Sequence, residues 1–290
     1  MHDVETPEDY EELIKVIHER YEDMSKSYQR IALYLTQNPN DVAVLSVSAI
    51  AERCGVHASS FARFAQALGY QGFKDLQSLF QRRLSTAAPG FEARIKALEG
   101  DLGAKADRSE LGFLHELVVR DIASLEDLLT GIRPESLVEA VSLLERAESV
   151  FLIGQLRSAP VVELLRYILT MLGKRCVLLD AAGGLATHMA KAIRKSDVLF
   201  AVSFRFYANE VANVVEEAGR HGIPIIAITD STLSPLAKSA RVLFAVPEHE
   251  YTFSRSLAAP MCLAQALTVA LAARLQNNVV DPRIPTVTSQ

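Results

Sequence analysis

Ser46-Val-Ser-Ala-Ile-Ala-Glu-Arg-Cys-Gly-Val-His-Ala-Ser-Ser-Phe-Ala-Arg-Phe-Ala-Gln-Ala-Leu-Gly-Tyr70 is the stretch that decides how the first part of this chain folds. Two short helices that cross tightly need a small residue where they meet, and Ala51 supplies it. The turn between them needs a residue that tolerates positive φ, and Gly55 follows four positions later. Ile50, Val56, Phe61, Phe64 and Leu68 are spaced to lock the second helix onto a core. Ser48, and either Ala58 or Ser59, are the expected entry points of the two helices. His57, Ser59, Ser60, Arg63 and Gln66 are left on the outward face of the second helix, a polar set suited to the major groove of double-stranded DNA. The alternative is an ordinary helical hairpin whose polar face is merely solvated.

Charge separates these readings. The 290-residue chain carries a formal net charge of −5, so any nucleic-acid contact must come from a local patch. From Met24 to Thr86 the bases are Lys26, Arg30, Arg53, Arg63, Lys74, Arg82 and Arg83, and the acids are Asp41, Glu52 and Asp75. That segment is therefore about +4, which phosphate binding requires. Lys74 joins the DNA-facing candidates on this ground. The block from Met24 through Arg83 resembles the N-terminal domain of the RpiR/MurR-type transcriptional regulators. The resemblance is carried by Ser25–Ala32, Ser48–Val56 and, most specifically, Leu68-Gly-Tyr-Gln-Gly-Phe-Lys-Asp-Leu76. Its two glycines let the chain turn out of the recognition helix, while Tyr70 and Phe73 re-enter the core.

Around this block, residues 6–86 read as all-helical, because apolar positions recur at helical spacing in Leu13–Ile14–Ile17 and Ile31–Leu33–Leu35. Residues 87–108 hold Pro89, Gly90, Gly100 and Gly103 and read as a linker with room for one short helix. Residues 109–135 form a connecting helix over Leu111–Leu129, ended by Gly131 and Pro134. Residues 276–290 are a tail. Nearly half the chain is apolar, as in a soluble globular protein of two domains. Cys54, Cys176 and Cys262 are far apart and suit neither a disulfide framework nor a metal cluster, and no metal or cofactor is expected. Met1–Tyr10 is acidic and lacks the apolar core of a signal peptide. Leu257–Ala273 is long and apolar but holds Pro260, Gln265 and Thr268, so a helix buried on all sides, or at a subunit interface, is preferred to a membrane span. A cytoplasmic location with no membrane partner is expected.

From Pro134 onward, short apolar runs alternate with helical patterns. Ser149–Ile153, Arg175–Leu179, Asp197–Ser203, Ile223–Thr229 and Val242–Val246 read as strands. Helices are expected near Ala159–Leu172, Thr187–Ile193, Asn209–His221 and Leu236–Ser239. Val198–Val202 and Ile223–Ile228 are apolar on both faces, so the fold class is an α-helical helix-turn-helix domain followed by an α/β doubly wound parallel sheet over residues 136–275. No Gly-x-Gly-x-x-Gly follows the first strand and no Gly-x-x-x-x-Gly-Lys occurs. The loop Gly154-Gln-Leu-Arg-Ser-Ala-Pro160 instead offers Arg157, Ser158 and backbone N–H groups to an anion. The loop Ser203-Phe-Arg-Phe-Tyr-Ala-Asn-Glu210 offers a hydroxyl, a guanidinium and a phenol from Ser203, Arg205 and Tyr207. Both lie outside the carboxyl ends of strands, where ligands collect in open α/β sheets. Ion pairing of Arg157 and Arg205, and helix capping by Ser158 and Ser203, are the alternatives.

Ser136–Leu275 resembles the sugar isomerase (SIS) domain that follows the DNA-binding unit in this family. The resemblance runs through the first-strand loop, Asp180, Asp197-Val-Leu-Phe-Ala-Val-Ser203 and Ile226-Ala-Ile-Thr-Asp-Ser-Thr-Leu-Ser-Pro-Leu-Ala237. It implies a bound phosphosugar touched by Ser158 and Ser203. Two departures widen that expectation to a small anionic metabolite, either a phosphosugar or a sugar acid or carboxylate. The family's Gly-x-Gly-x-Ser is Gly154-x-Leu156-x-Ser158, which reduces close backbone approach and puts a bulky Leu in the loop. The family's Ser-x-Ser-Gly-x-Thr is Ser203-Phe-Arg205-Phe-Tyr207-Ala208, which trades hydroxyls for a guanidinium. The alternative is a SIS-domain phosphosugar isomerase, which needs a base near the substrate carbon atoms. Only His188, His249 and Glu250 are candidates, each read as a surface or interface residue, so no catalytic residue is expected. A monomer reads too few base pairs, so a homodimer or homotetramer is expected, with Leu111–Leu129 and Leu257–Leu275 contributing.

Overall fold

The structure is a computed structural model and describes residues 6–87, 109–180, 185–205, 207–246, 250–251 and 254–279. Residues 88–108, read as a linker, lie outside the described residues, as does most of the tail after residue 279. The chain divides into two compact units that part near residue 112.

The first unit is helical throughout: α1 Tyr10–Arg20, α2 Lys26–Gln37, α3 Pro39–Val44, α4 Val47–Cys54, α5 Ala58–Ala67 and α6 Phe73–Ala87. Each start has a local cause. The side chains of Asp9, Ser25 and Ser46 accept from the backbone N–H groups of Glu12, Tyr28 and Ala49. Thus Ser46, not Ser48, opens α4, and His57 rather than Ala58 or Ser59 precedes α5. Gly55 ends α4 in the left-handed region at φ 67°, the conformation the tight turn needs. Ile31, Leu35, Ile50, Phe61, Phe64, Leu76 and Phe80 are buried together. Edge-on ring pairs, Phe61–Phe73 at 5.0 Å and Tyr28–Phe64 at 5.3 Å, fix α5 against α6 and α2.

The N-terminal segment is strapped onto this unit. Gly69 has φ 94°, and a Cβ there would stand 2.3 Å from the Thr6 hydroxyl, which itself donates to the Gly69 carbonyl at 3.2 Å. The Tyr70 hydroxyl donates to the Pro7 carbonyl at 2.7 Å. Burial, with Asp75 and Glu12 nearby, pushes the Tyr70 phenol well above its ordinary range.

In the second unit α7 (Glu110–Gly131) and α8 (Pro134–Arg146) lead into a five-stranded parallel sheet. Its strands are β1 Val150–Ile153, β2 Cys176–Leu178, β3 Val198–Val202, β4 Ile225–Thr229 and β5 Val242–Ala245, in the order β2-β1-β3-β4-β5. α9 (Ala159–Met171), α10 (Ala186–Ala190) and α11 (Asn209–Arg220) make the crossovers, and α12 (Ala258–Val279) ends the described chain. Side chains alternate across the strands. Val150, Leu152, Phe200, Val202, Ile226 and Phe244 pack with α8, α9 and α12, whereas Ile153, Leu199, Ala201, Ile225 and Ala227 pack with α10 and α11. Both faces are covered, which explains the continuous apolar runs of β3 and β4.

Two elements differ from the sequence reading. Leu236–Ser239 forms turns rather than a helix, because Ser231, Ser234 and Leu236 carbonyls accept i+3 bonds from Ser234, Ala237 and Ser239. Pro134–Arg146, where only a helix end was expected, is a second helix with Pro at its first turn. α12 is long and apolar enough to cross a membrane by length and composition, with 39% of its apolar window buried. It is not buried on all sides. Leu263, Leu267 and Leu271 enter the core while Cys262 and Val269 are exposed.

Candidate DNA-binding and effector sites

On α5 the side chains of His57, Ser59, Arg63 and Gln66 are exposed, Ser60 is half-buried, and Lys74 is exposed at the start of α6. Phe61, Phe64 and Ala65 on the same helix are buried, so the outward face is the polar one. His57 makes no side-chain cap at the start of α5. The Arg53 guanidinium pairs with Asp41 and acts on the Tyr34 hydroxyl, so its charge is spent within the unit. Lys26, Arg30, Arg63 and Lys74 are exposed bases of the basic segment between residues 24 and 86.

In the second unit the strand order reverses between β1 and β3, which are adjacent and parallel, with Ile153 opposite Ala201. A 2-1-3-4-5 sheet opens a crevice at the carboxyl ends of these two strands. The loops leaving them carry Arg157 and Ser158 from β1, and Ser203, Arg205 and Tyr207 from β3. Ser158, Ser203 and Tyr207 are buried there and Arg205 is half-buried. Ser158 sits at the start of α9 without a side-chain cap, so capping is not its role here. Arg205 and Tyr207 both make further polar or ring contacts, and Phe206 between them lies outside the described residues.

Gly154 is required by contact. A Cβ on it would lie 2.9 Å from Val162 Cγ1 and 3.1 Å from the Val202 carbonyl oxygen, so only glycine lets β1 leave beside β3. Two positions on, Leu156 has φ 55°, the one non-glycine residue with positive φ among the described residues. The left-handed backbone suited to the family's second glycine is therefore kept by a leucine. Its side chain is 78% exposed and stands in solvent rather than packing into the loop. Its neighbours hold it there. The Gln155 amide donates to the Glu210 carboxylate at the start of α11, and the Ser158 N–H donates to the Gln155 carbonyl at 3.0 Å. Such over-determination is what a strained backbone needs to persist.

Arg157 is half-buried. Its guanidinium lies 4.8 Å from the Phe204 ring centroid, a cation–π contact, and its Nη1 donates to the Arg255 and Ser256 carbonyls at 3.5 and 3.4 Å. It ties the β1 loop to the β3 loop and to the segment entering α12, where the Ser256 hydroxyl accepts from the Ala258 N–H at 2.9 Å. Gln155, Glu210 and Phe204 were not singled out in the sequence; the pairing of Gln155 with Glu210 spans 55 positions and leaves no local signal. At the end of β4 the Ser234 hydroxyl is buried with no hydrogen-bond partner among the described residues, and Thr229 and Ser231 are buried beside it in sequence.

Of the candidate acid–base residues, His188 is exposed on α10. His249, and the side chain of Glu250, lie outside the described residues. No group of three or more metal-ligating side chains occurs among the described residues.

Comparison with known proteins agrees with this division. Residues 11–87 match the helix-turn-helix domain of the rpiR family, and residues 143–270 match the SIS domain. An uncharacterized HTH-type transcriptional regulator of Escherichia coli (strain K12), YfhH, is 28% identical over 255 residues, covering 87% of this chain and 86% of its own. Another such regulator, TTE0211 of Caldanaerobacter subterraneus, is 23% identical over 277 residues and covers 93% of each chain. The sugar isomerase domain of an RpiR transcription factor from Sphaerobacter thermophilus superposes with a TM-score of 0.54 at 27% identity, covering 57% of this chain and 92% of that one. The Vibrio vulnificus NanR protein, solved in complex with ManNAc-6P, shares the fold at a TM-score of 0.53 and 21% identity, covering 94% of this chain and all of that one.

Proposed function

We propose that this chain, which belongs to the RpiR-type family of DNA-binding transcriptional regulators with a C-terminal SIS domain, binds operator DNA through α5 and senses a small anionic metabolite at the carboxyl ends of β1 and β3. The observation that carries the sensing half is the strand order. The loops that carry Ser158, Ser203, Arg205 and Tyr207 leave the neighbouring strands β1 and β3 at this reversal, and they are tied to each other by Arg157 and by Gln155–Glu210, which supports the reading. A guanidinium and two hydroxyls suit a phosphate or carboxylate. NanR, which shares the fold, is a complex with a phosphosugar, which favours that member of the class. The chain acts as a sensor and not as an enzyme in this reading, because its relatives are regulators and His188 lies out on a helix surface.

In the DNA-binding half, His57, Ser59, Ser60, Arg63 and Gln66 meet base edges and phosphates while Lys74 meets the backbone. A homodimer or homotetramer in the cytoplasm reads a two-fold site, and effector binding favours one arrangement of the recognition helices over another. A thermal-shift screen of hexose phosphates, sugar acids and small carboxylates tests the sensing half. A true effector at 100 times its Kd adds about 2.7 kcal/mol to stability. Arg205→Ala should abolish that shift and spare operator binding. A shift of unchanged size in Arg205→Ala removes Arg205 from the site, and no shift from any of the three classes removes the anion reading.

A further inference from the structure

The second unit has a cavity of about 710 Å³ far from these loops. It lies between α10 and α11, at the amino ends of β3 and β4. β3 is five residues long, so about 16 Å of strand separates this end from the candidate effector loops. The volume falls within the ~300–1,000 Å³ typical of small-molecule sites.

Its floor is apolar: Ile193, Val214, Ala218 and Ile223 are buried and Ala190 is half-buried. Its rim is cationic. Lys191, Arg194 and Lys195 stand along one side and Arg220 and His221 along the other, with Glu216 and Glu217 beside them. The two glutamates share one cation, Arg220, at 2.8 Å from Glu216 and 2.7 Å from Glu217, so together they leave one negative charge on the rim. Lys191, Arg194 and Lys195 form no ion pair among the described residues and are a surplus of positive charge in a chain of net charge −5. The rim is also fixed in place. The buried Asp197 carboxylate accepts from the Arg194 N–H at 2.9 Å and from the Ser149 N–H at 3.0 Å, pinning the turn that carries Arg194 and Lys195 to the start of β1.

Lys191, Arg194, Lys195 and Arg220 against Glu216 and Glu217 leave the rim at about +2, and an apolar floor beneath that surplus is complementary to one ligand chemistry. We infer that this cavity is a second binding site of the SIS unit, for a small organic anion with an apolar body, such as an aryl sulfonate or a medium-chain carboxylate. The apolar body lies on Ile193, Val214 and Ile223 and the anionic head on the Lys191–Lys195 rim. The site is independent of the effector crevice, and its ligand shares no residue with it.

Anilinonaphthalene sulfonate, an anion on an aromatic body that fluoresces when sheltered from water, tests this on the full chain. Saturable binding is expected. It should weaken at least about tenfold, or about 1.4 kcal/mol, in the exposed-residue double variant Lys191→Glu/Lys195→Glu. It should also fall in Ala190→Trp, which fills the floor, and stay unchanged in Arg205→Ala. Octanoate should displace the dye and acetate at equal concentration should not. Circular dichroism establishes that each variant is folded. Equal dye affinity in the wild type and both groove variants would place the dye on an exposed helix face and overturn the proposal. Displacement by acetate as effective as by octanoate would reduce the groove to a bare charge patch, and overturn it too.

Discussion

Replacing Leu156 by glycine should leave the SIS unit as stable as before or slightly more so, contrary to the usual cost of removing a large apolar side chain. An L-residue in the left-handed region costs roughly 1–2 kcal/mol, and Leu156 sits there at φ 55°. Glycine removes that cost and adds about 0.5–1 kcal/mol of chain entropy lost on folding. The side chain is 78% exposed, so the lost burial is a small fraction of the about 1.5–3 kcal/mol of a fully buried leucine. The balance lies within about 1 kcal/mol of neutral and leans toward glycine. Leu156→Ala keeps the left-handed penalty and gives up almost no burial, so it should be near neutral. Leu156→Val adds a β-branch to a backbone region that tolerates it worst and should cost about 1 kcal/mol. Thermal melts of the full chain rank the three, at about 2–4 °C per kcal/mol for a unit of this size. A glycine variant melting well below wild type, or a valine variant level with glycine, would refute the account: Leu156 would then be held by packing and not by its pinned neighbours.

Three further outcomes follow from particular contacts. Gly154→Ala should destabilise the SIS unit by about 1–3 kcal/mol, since its Cβ meets the Val202 carbonyl, a backbone atom that cannot rotate away; a melt unchanged from wild type would remove that contact. Arg63→Ala should cost about 1–3 kcal/mol of operator affinity with unchanged circular dichroism, and equal affinity across several salt concentrations would take Arg63 off the interface. Tyr70 has a folded pKa above its unfolded value of 10.0, so its contribution to stability is complete below pH 10.0 and is lost as the pH rises toward the folded value. The helical unit should therefore lose stability above pH 10.0, and Tyr70→Phe should show a shallower alkaline decline from a lower plateau; identical alkaline limbs would separate Tyr70 from the effect.

The helix-turn-helix was legible because its determinants are local. Ala51, Gly55 and the Phe61–Phe64–Leu68 spacing act within one turn of chain, and Gly55 adopts the left-handed conformation its position implied. The parallel sheet was legible in the unbroken apolar runs of β3 and β4, since burial on both faces leaves no alternation to disguise them. Helix α8 escaped because Pro134, read as the end of one helix, is also the start of the next. Leu236–Ser239 misled in the other direction: its apolar and small residues suit a helix, but the backbone from Ser231 onward closes successive turns instead. The candidate effector loops were visible as residues but not as a network. That Arg157 reaches Phe204 and residues 255–256, and that Gln155 reaches Glu210, depends on strand order and no local pattern encodes it.

The strap of Thr6 and Pro7 across Gly69 and Tyr70 sets a practical boundary for the DNA-binding unit. The match to the rpiR-family domain begins at residue 11, but Thr6 and Pro7, which precede it, already bond to Gly69 and Tyr70. A chain cut at residue 11 would strip the acceptor from a buried phenol, at about 1–3 kcal/mol, and would free the Leu68–Tyr70 corner that follows α5. Anyone isolating this unit to study operator binding should keep those first residues, because trimming them loosens the very helix whose aim is being measured.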